Sequence, residues 1–356
     1  MILLIIIINI IKCISGEDKI MVRQVWTTFL KSAVVVTVCI GLLAGCGGAG
    51  NGINNGEAVS SQPSGGANTD SKAEQTEPAT RIVSNDYGEV EIPVNPKRVA
   101  ALYREDYLVA LGVTPIVQYF NPMWGKQDYL ELEVPLFDIT GSVEALLVSE
   151  PDLIITGVID DAQYELYRKV APTFRIPEDV LVDPRQTLKV IADLLGKSEK
   201  TEEVLQKYDQ QVEGLKGKLA ASVGDEKVVV LRMNSVDKSV NIFGYNNIFV
   251  GKLLYQDLGL QAPQYAQNMT EGNIVLSMEA VPELNADHII LLLSNGTWED
   301  EGIAQAYEDM MNSPIWKTVP AVQKGNVYQV DRSHWQTTAI IGDQKKMEDL
   351  ERLFIK

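Results

Sequence analysis

Most of this sequence lacks cysteine. Its three cysteines, Cys13, Cys39 and Cys46, all lie at or before residue 46, so no disulfide framework can hold the remainder together. Histidine is also scarce, with only His288 and His334. A zinc or manganese receptor requires a cluster of histidines and carboxylates. We therefore expect no protein-bound metal and no cofactor.

Other absences argue against two further classes of protein. Beyond residue 46 there is no thiol nucleophile and no Gly-x-Ser-x-Gly turn, and two histidines offer few general bases. An enzyme is therefore not expected. Basic residues are outnumbered, with 31 Lys and Arg against 48 Asp and Glu, and the net charge is −17. This charge opposes binding to the nucleic-acid phosphate backbone.

The N-terminal region follows the plan of a bacterial signal peptide. Arg23 and Lys31 precede an apolar run, Ala33–Leu43, that is too short to form a stable membrane span. The run ends in Leu43-Ala44-Gly45-Cys46, which resembles a lipobox, in which the cysteine is diacylated and becomes the new N-terminus. Two acyl chains are sufficient for stable anchoring. We expect residues 1–46 to be a signal region with its start at Met21, and Cys46 to be lipidated; the alternative is a signal-anchor helix with a chance cysteine.

Residues 47–80 are rich in Gly, Ser, Asn and Ala and almost free of large apolar residues. Such a segment cannot bury enough surface to fold and is expected to be a flexible tether. The anchor and tether place the folded domain on the extracytoplasmic face of the cell membrane.

From residue 81 onward, short β-branched runs alternate with helical patterns. This alternation is typical of parallel sheets covered on both faces, and it predicts an α/β class. The expected strands are Val99–Leu102, Pro115–Val117, Leu153–Thr156, Lys227–Met233, Ile289–Leu293 and Val327–Val330. The expected helices are Asp106–Leu111, Val143–Leu147, Ala162–Val170, Ile248–Leu258 and Ile341–Phe354.

One segment interrupts this alternation, and a weak repeat surrounds it. From about residue 185 to 220, apolar residues recur at helical spacing without a strand, with a kink or short break near Gly196. Ser142-Val143-Glu144-Ala145-Leu146 is similar to Ser277-Met278-Glu279-Ala280-Val281. Each copy predicts a helix capped by Ser, with Glu in its first turn, that leads into a buried strand. We therefore expect two lobes, 81–185 and 223–356, joined by a long bridging helix at 186–222.

Several segments together resemble the iron-siderophore class of ABC-transporter substrate-binding lipoproteins. The resemblance extends from the lipobox to the C-terminus. It is carried by Asp86-Tyr87-Gly88, Pro96–Ala100, Leu111–Ile116, Glu150–Ile155, Val170–Thr173, Leu254–Leu260 and Trp316–Val322. The family implies two α/β lobes, each with a mostly parallel sheet flanked by helices, and one rigid bridging helix. It also implies that a ferric siderophore binds in the cleft and is delivered to a permease. We expect a monomer.

The resemblance assigns Glu144 and Glu279 to docking on arginines of the permease. Charge pairs of this kind fix the register of a complex and speed encounter more than they add affinity. The alternative is local, since a Glu in the first turn of a helix complements the helix dipole.

A ferric chelate already has its iron saturated by its own oxygens, so the cleft needs donors and aromatic walls, with no metal ligand from the protein. Arginine presents a planar donor fork that suits chelate oxygens. The expected ligand-binding residues are Tyr103, Arg104, Tyr119, Trp124, Arg232, Tyr245 and Trp335. For the two arginines, the alternative is a surface ion pair, as between Arg104 and Glu105. Haem and cobalamin stay open as ligands, and a sensor for a membrane signalling partner stays open as a role.

Overall fold

The described chain begins with a β-hairpin of β1 (Thr80–Asn85) and β2 (Gly88–Pro93). In this computed structural model the described residues are 80–122, 125–140 and 143–355. They all belong to the unit Ala73–Lys356, and the other unit, Met1–Lys72, lies outside them. The predictions for the signal region, Cys46 and almost all of the tether also lie outside the described residues.

The first lobe is built from short parallel strands. Its strands are β3 (Val99–Ala101), β4 (Gln118–Phe120), β5 (Leu136–Asp138), β6 (Leu153–Thr156) and β7 (Thr173–Arg175). They form a three-stranded sheet in the order β3-β6-β7 and a separate parallel pair, β4 and β5. The helices around them are α1 (Glu105–Ala110), α2 (Glu144–Val148), α3 (Asp161–Tyr167) and α4 (Glu178–Leu181). A 3₁₀ turn covers Asp128–Leu130.

Two helices, α5 (Pro184–Leu194) and α6 (Ser198–Ser222), occupy the segment expected to bridge the lobes. The break between them lies at Gly196, whose φ of 63° is left-handed and favours glycine. The expected helix of some thirty residues is therefore divided. The longer part, α6, has 25 residues and spans roughly 37 Å.

The second lobe has a five-stranded sheet. Its strands are β8 (Val228–Asn234), β9 (Ser239–Phe243), β10 (Asn273–Val275), β11 (His288–Leu293) and β12 (Val327–Gln329). Their order is β10-β9-β8-β11-β12, with β8, β11 and β12 parallel. All six residues of β11 are buried. The α-helices are α7 (Gln264–Gln267), α8 (Glu301–Asn312), α9 (Pro320–Lys324), α10 (Arg332–Trp335) and α11 (Ile340–Phe354).

This architecture confirms the α/β class, with two lobes of mostly parallel sheet flanked by helices and joined by a long helix. Within the described residues, no helix combines the length and the apolar character required to cross a bilayer. The exact domain boundaries stay a prediction.

Two expected helices of the second lobe are different in the structure. The segment predicted as Ile248–Leu258 contains a π-helix, Gly251–Asp257. Glu279 lies in a turn that precedes a 3₁₀ helix, Val281–Leu284. An α-helix beginning there would be interrupted because Pro282 has no amide hydrogen to donate to the carbonyl of Met278. The capping serine of the repeat is present, since Ser277 Oγ accepts from the Ala280 amide at 3.3 Å.

Candidate functional site

The main candidate site is a cavity of about 720 Å³ where the carboxyl ends of β3, β4, β5 and β6 meet two loops of the second lobe. Clefts at the carboxyl ends of parallel strands are the usual ligand sites of α/β folds. Three of the expected residues, Tyr103, Arg104 and Tyr119, line it. From the second lobe come Ile248 and Phe249, before the π-helix, and Gln336 and Thr338, after α10.

The lining of the cavity combines two kinds of side chain. Aromatic and polar ones come from Tyr103, Arg104, Tyr119, Asn121, Gln163 and Tyr167. Apolar ones come from Ile139, Val158, Ile159, Leu181 and Val182. Among the described lining residues only Arg104 and Glu178 carry a formal charge, and Glu178 is joined to Arg175 at 2.7 Å. The cavity therefore holds almost no net charge.

Tyr103 has a strained backbone. Its φ is 55°, a left-handed conformation that costs a residue with a Cβ about 1–2 kcal/mol. The amide of Tyr103 donates to Glu105 Oε1 at 3.3 Å, and its hydroxyl donates to the Gln336 carbonyl oxygen at 3.1 Å. Its side chain therefore connects the two lobes at the edge of the cavity. Burial raises the pKa of the Tyr103 hydroxyl to about 12, so the phenol stays protonated.

Arg104 lies against the backbone at Gly157. Its Nη1 donates to the Tyr103 carbonyl oxygen at 2.7 Å, whereas its buried Nε has no hydrogen-bond partner. The alternative of an ion pair with Glu105 is wrong, because no salt bridge joins these two described residues and the Glu105 carboxylate bonds to backbone amides. A guanidinium that lines a cavity is suited to an incoming oxygen acceptor.

Glu105 is a residue of the site that sequence reasoning missed. Its side chain is fully buried at the start of α1. Oε1 accepts from the amides of Tyr119 at 2.6 Å and Tyr103 at 3.3 Å, while Oε2 has no partner. Burial raises its pKa to about 8, although these hydrogen bonds and the nearby Arg104 lower it. Its sequence position, directly after Arg104 in a first helical turn, resembles that of an ordinary surface acid.

Arg232 lies at the end of β8, as expected, but it does not line the cavity. Its guanidinium lies 5.7 Å from the centre of the Phe243 ring, and its Nε has no partner. Burial and the neighbouring Arg332 lower its pKa. Arg332 was not expected as a site residue. It lines a second cavity of about 440 Å³, together with Trp298 and Lys126, and its Nη1 donates to the Ser294 carbonyl oxygen.

The placement of Trp335 contradicts its expected role as a ligand wall. Its side chain is fully buried in the core, and its indole N–H donates to Asp349 Oδ2 at 2.8 Å. His334 Nε2 lies 2.8 Å from the same oxygen. The loop after β12 forms the short helix α10, which turns Trp335 inward. A sequence pattern gives the loop but not the direction of its side chains.

A further expected aromatic residue, Tyr245, does not line this cavity. Tyr245 stacks on Tyr255, with ring centroids 5.4 Å apart, and is absent from the lining of the 720 Å³ cavity, which contradicts the expectation that it contacts ligand there. Trp124 lies outside the described residues. His288 is buried, and its Nε2 lies 2.7 Å from a carboxylate oxygen of Glu226.

Glu144 and Glu279 are both exposed, one in each lobe. Glu144 is the first residue of α2, and Glu279 lies in the turn before the 3₁₀ helix. Their role in docking stays a prediction.

Comparison with known proteins gives matches over most of the chain. A model of the family described as "Periplasmic binding protein" matches residues 108–333. The iron(3+)-hydroxamate-binding protein FhuD of Bacillus subtilis is 32% identical over 313 residues, which are 85% of this chain and 90% of that protein. The probable siderophore-binding lipoprotein YfiY of the same organism is 28% identical over 80% of this chain and 91% of its own length.

A solved structure supports the same fold. It is a FhuD fold-family periplasmic binding protein, a component of a Fep/Fec-like ferrichrome ABC transporter of Bacillus subtilis. It superposes with a TM-score of 0.64 at 28% identity and covers 77% of this chain and 100% of its own.

Proposed function

Because the chain belongs to the periplasmic binding protein family, in its siderophore-binding FhuD class, we propose that it captures a ferric siderophore and delivers it to an ABC-transporter permease. The single observation that carries this proposal is the 720 Å³ cavity between the lobes, lined by Tyr103, Arg104 and Tyr119. Its volume is in the range of small-molecule sites. The relative FhuD is named for binding iron(3+)-hydroxamate.

The charge of the cavity favours a hydroxamate over a catecholate. Three singly charged hydroxamates balance Fe³⁺, so the chelate core is neutral, whereas three doubly charged catecholates leave a strongly anionic complex. The described lining offers one cation, Arg104, and one anion, Glu178. Burying a multiply charged anion in such a cavity would be costly. The apolar lining residues are suited to the aliphatic or peptide backbone of a hydroxamate siderophore.

The polar and aromatic lining residues have separate roles in binding. The Arg104 guanidinium, which lines the cavity, donates to a chelate oxygen, and the buried, protonated hydroxyl of Tyr103 closes the cavity against the second lobe. The rings of Tyr103 and Tyr119 form an aromatic corner against which the chelate packs. Iron stays coordinated by the siderophore throughout.

We further propose that Cys46 is diacylated, which anchors the protein to the outer face of the cell membrane, and that Glu144 and Glu279 dock on the permease. The lipobox-like sequence 43–46 and the name of the relative YfiY, a lipoprotein, support the anchor. The exposed positions of the two glutamates, one on each lobe, support docking.

The test is a tryptophan-fluorescence titration of the purified protein with ferrichrome, a ferric tricatecholate, ferric citrate, haem and cobalamin. We expect saturable quenching at submicromolar concentration with ferrichrome and weaker binding of the tricatecholate. Strong binding of haem or cobalamin alone would keep a transport role and overturn the siderophore assignment. No saturable binding of any ferric chelate would contradict the proposal.

A further inference from the structure

Glu105 connects the two tyrosines of the cavity through their backbones. Oε1 accepts from the Tyr103 amide in the preceding loop and from the Tyr119 amide on β4, fourteen residues further along the chain. These are the residues whose rings lie 5.2 Å apart at an interplanar angle of 60°. One carboxylate oxygen therefore fixes both ends of the aromatic corner.

The same contact supports the strained backbone of the site. A left-handed tyrosine persists only where neighbouring groups hold it in place. The Tyr103 amide is held by Glu105 Oε1, its carbonyl oxygen by Arg104 Nη1 and its hydroxyl by the second lobe. Of these, the Glu105 contact is the one that also reaches Tyr119.

The second carboxylate oxygen has no structural use. Glu105 is fully buried, and Oε2 has no hydrogen-bond partner. An unpaired buried oxygen is destabilising. Oε2 therefore adds nothing to the stability of the fold, whereas Oε1 bonds to the amides of both tyrosines.

We propose that Glu105 is a positioning residue that determines ligand specificity by fixing Tyr103 and Tyr119 as one edge-to-face aromatic corner of the cavity. This inference rests on the proposed function. Glu105 does not contact the ligand. It acts through the two rings, which set the shape that a ferric chelate must match.

The protonation of Glu105 offers a readout that a purely structural residue would not give. The groups that act on its carboxyl are the backbone amides of Tyr103 and Tyr119 and the Arg104 guanidinium. The carboxyl in turn acts on the Tyr103 phenol, on which Arg104 and Arg332 also act. Because the pKa of Glu105 is raised to about 8 and the phenol of Tyr103 titrates near 12, the carboxyl changes charge first as the pH rises. Its ionisation should be visible in the resonances of both rings.

The experiment has a part that needs no ligand. Ring resonances of ¹³C-tyrosine-labelled protein are assigned to Tyr103 and Tyr119 with the Tyr103→Phe and Tyr119→Phe variants and followed from about pH 6 to about pH 10. In the wild type both should shift with a midpoint near pH 8, and in Glu105→Gln neither should. The control is Glu202→Gln, an exposed acid on α6. The proposal would be overturned if the ring chemical shifts of the wild type did not change with pH, or if the change persisted in Glu105→Gln.

The second part measures specificity. Glu105→Gln keeps an acceptor oxygen for both amides, so its affinity for ferrichrome should stay within about threefold of the wild type. Glu105→Ala leaves both amides without an acceptor and should lose about tenfold or more, with a smaller preference for ferrichrome over a ferric tricatecholate. Wild-type affinity and preference in Glu105→Ala would contradict the positioning role. If the wild type binds no ferric chelate, the proposed function fails, whereas the ring titration still tests the connection through Glu105.

Discussion

The carboxylate of Asp106 accepts a hydrogen bond at 2.8 Å from the backbone amide of Gly342, which lies 236 positions further along the chain. The same oxygen, Oδ2, accepts from the Tyr129 hydroxyl at 2.7 Å, and Oδ1 accepts from the Ile341 amide at 2.9 Å. Asp106 belongs to α1 of the first lobe, and the two amides belong to the first turn of α11. A buried carboxylate of one lobe therefore caps the last helix of the chain, where the positive end of the helix dipole favours it.

This contact predicts the effect of one substitution on stability. Asp106→Ala should lower the free energy of unfolding by about 3 kcal/mol, because it leaves two helix amides and a tyrosine hydroxyl unpaired in the core. Urea unfolding followed by circular dichroism measures the change. Asp225→Asn, which alters an exposed acid, should change the value by less than about 0.5 kcal/mol. A similarly small change in Asp106→Ala would mean that the cap contributes little.

The Asp349 carboxylate predicts a pH dependence of stability. Burial raises its pKa, but hydrogen bonds from His334, Arg352 and Trp335 outweigh burial and lower the pKa to about 2. Since this lies below the ordinary value of about 3.9, the stabilisation is complete above about pH 4 and is lost as the pH falls towards 2. Asp349→Asn should therefore be less stable than the wild type by about 2 kcal/mol at neutral pH. The difference between the unfolding free energies of the two proteins should become smaller below about pH 4. A difference that stays constant with pH would contradict this role of the Asp349 carboxylate.

Gly157 provides a way to move Arg104 without changing it. A Cβ at residue 157 would overlap Arg104 Nη2 and lie 3.1 Å from its Cζ. These are the mobile end of a side chain, so Gly157→Ala should fold normally while the guanidinium is displaced from the cavity wall. We expect the affinity for ferrichrome to fall about tenfold, as for loss of one charge-assisted hydrogen bond.

A double-mutant cycle gives the control for this prediction. Adding Gly157→Ala to Arg104→Ala should cause no further loss, because both changes act on the same interaction. Gly302→Ala, on exposed α8 where a Cβ meets nothing within 4 Å, should leave affinity unchanged. If the losses of affinity from the two substitutions add in the double variant, Gly157→Ala lowers affinity by an effect other than the displacement of Arg104.

If Glu144 and Glu279 dock on the permease, replacing them should affect transport without affecting ligand binding. Replacing Glu144 and Glu279 together by Ala should abolish siderophore-dependent iron uptake by cells, while the affinity of the purified protein for ferrichrome changes little. The matched control replaces Glu199 and Glu203, two exposed acids of α6, and should leave uptake intact. If affinity falls together with uptake in the first variant, the two glutamates are not docking residues.

The sequence predicted the fold well because the fold depends on periodicity. Buried β-branched runs such as Leu153–Thr156 and Ile289–Leu293 correspond closely to β6 and β11. Short strands with mixed composition, such as β5 and β10, gave no comparable signal. The α-helix predicted at Glu279 does not form, because Pro282 interrupts the pattern that the repeat indicates.

The site was only partly predictable, since strand ends are visible in a sequence but side-chain directions are not. Tyr103, Arg104 and Tyr119 follow from their positions at the ends of β3 and β4. Trp335 was misassigned because the turn that buries it depends on Asp349, fourteen residues away. The role of Glu105 has no signal in the sequence, because its partner, the Tyr119 amide, comes close to it only in the folded chain.

Capture of a ferric hydroxamate in this cavity is tested most directly by equilibrium dialysis of the protein against ferrichrome, with the wild type, Arg104→Ala and Tyr103→Ala compared at equal concentration. We expect one saturable site with submicromolar affinity in the wild type and a loss of affinity of about tenfold or more in each variant. Absence of saturable binding in the wild type, or equal affinity in all three proteins, would contradict capture of a ferric hydroxamate in this cavity.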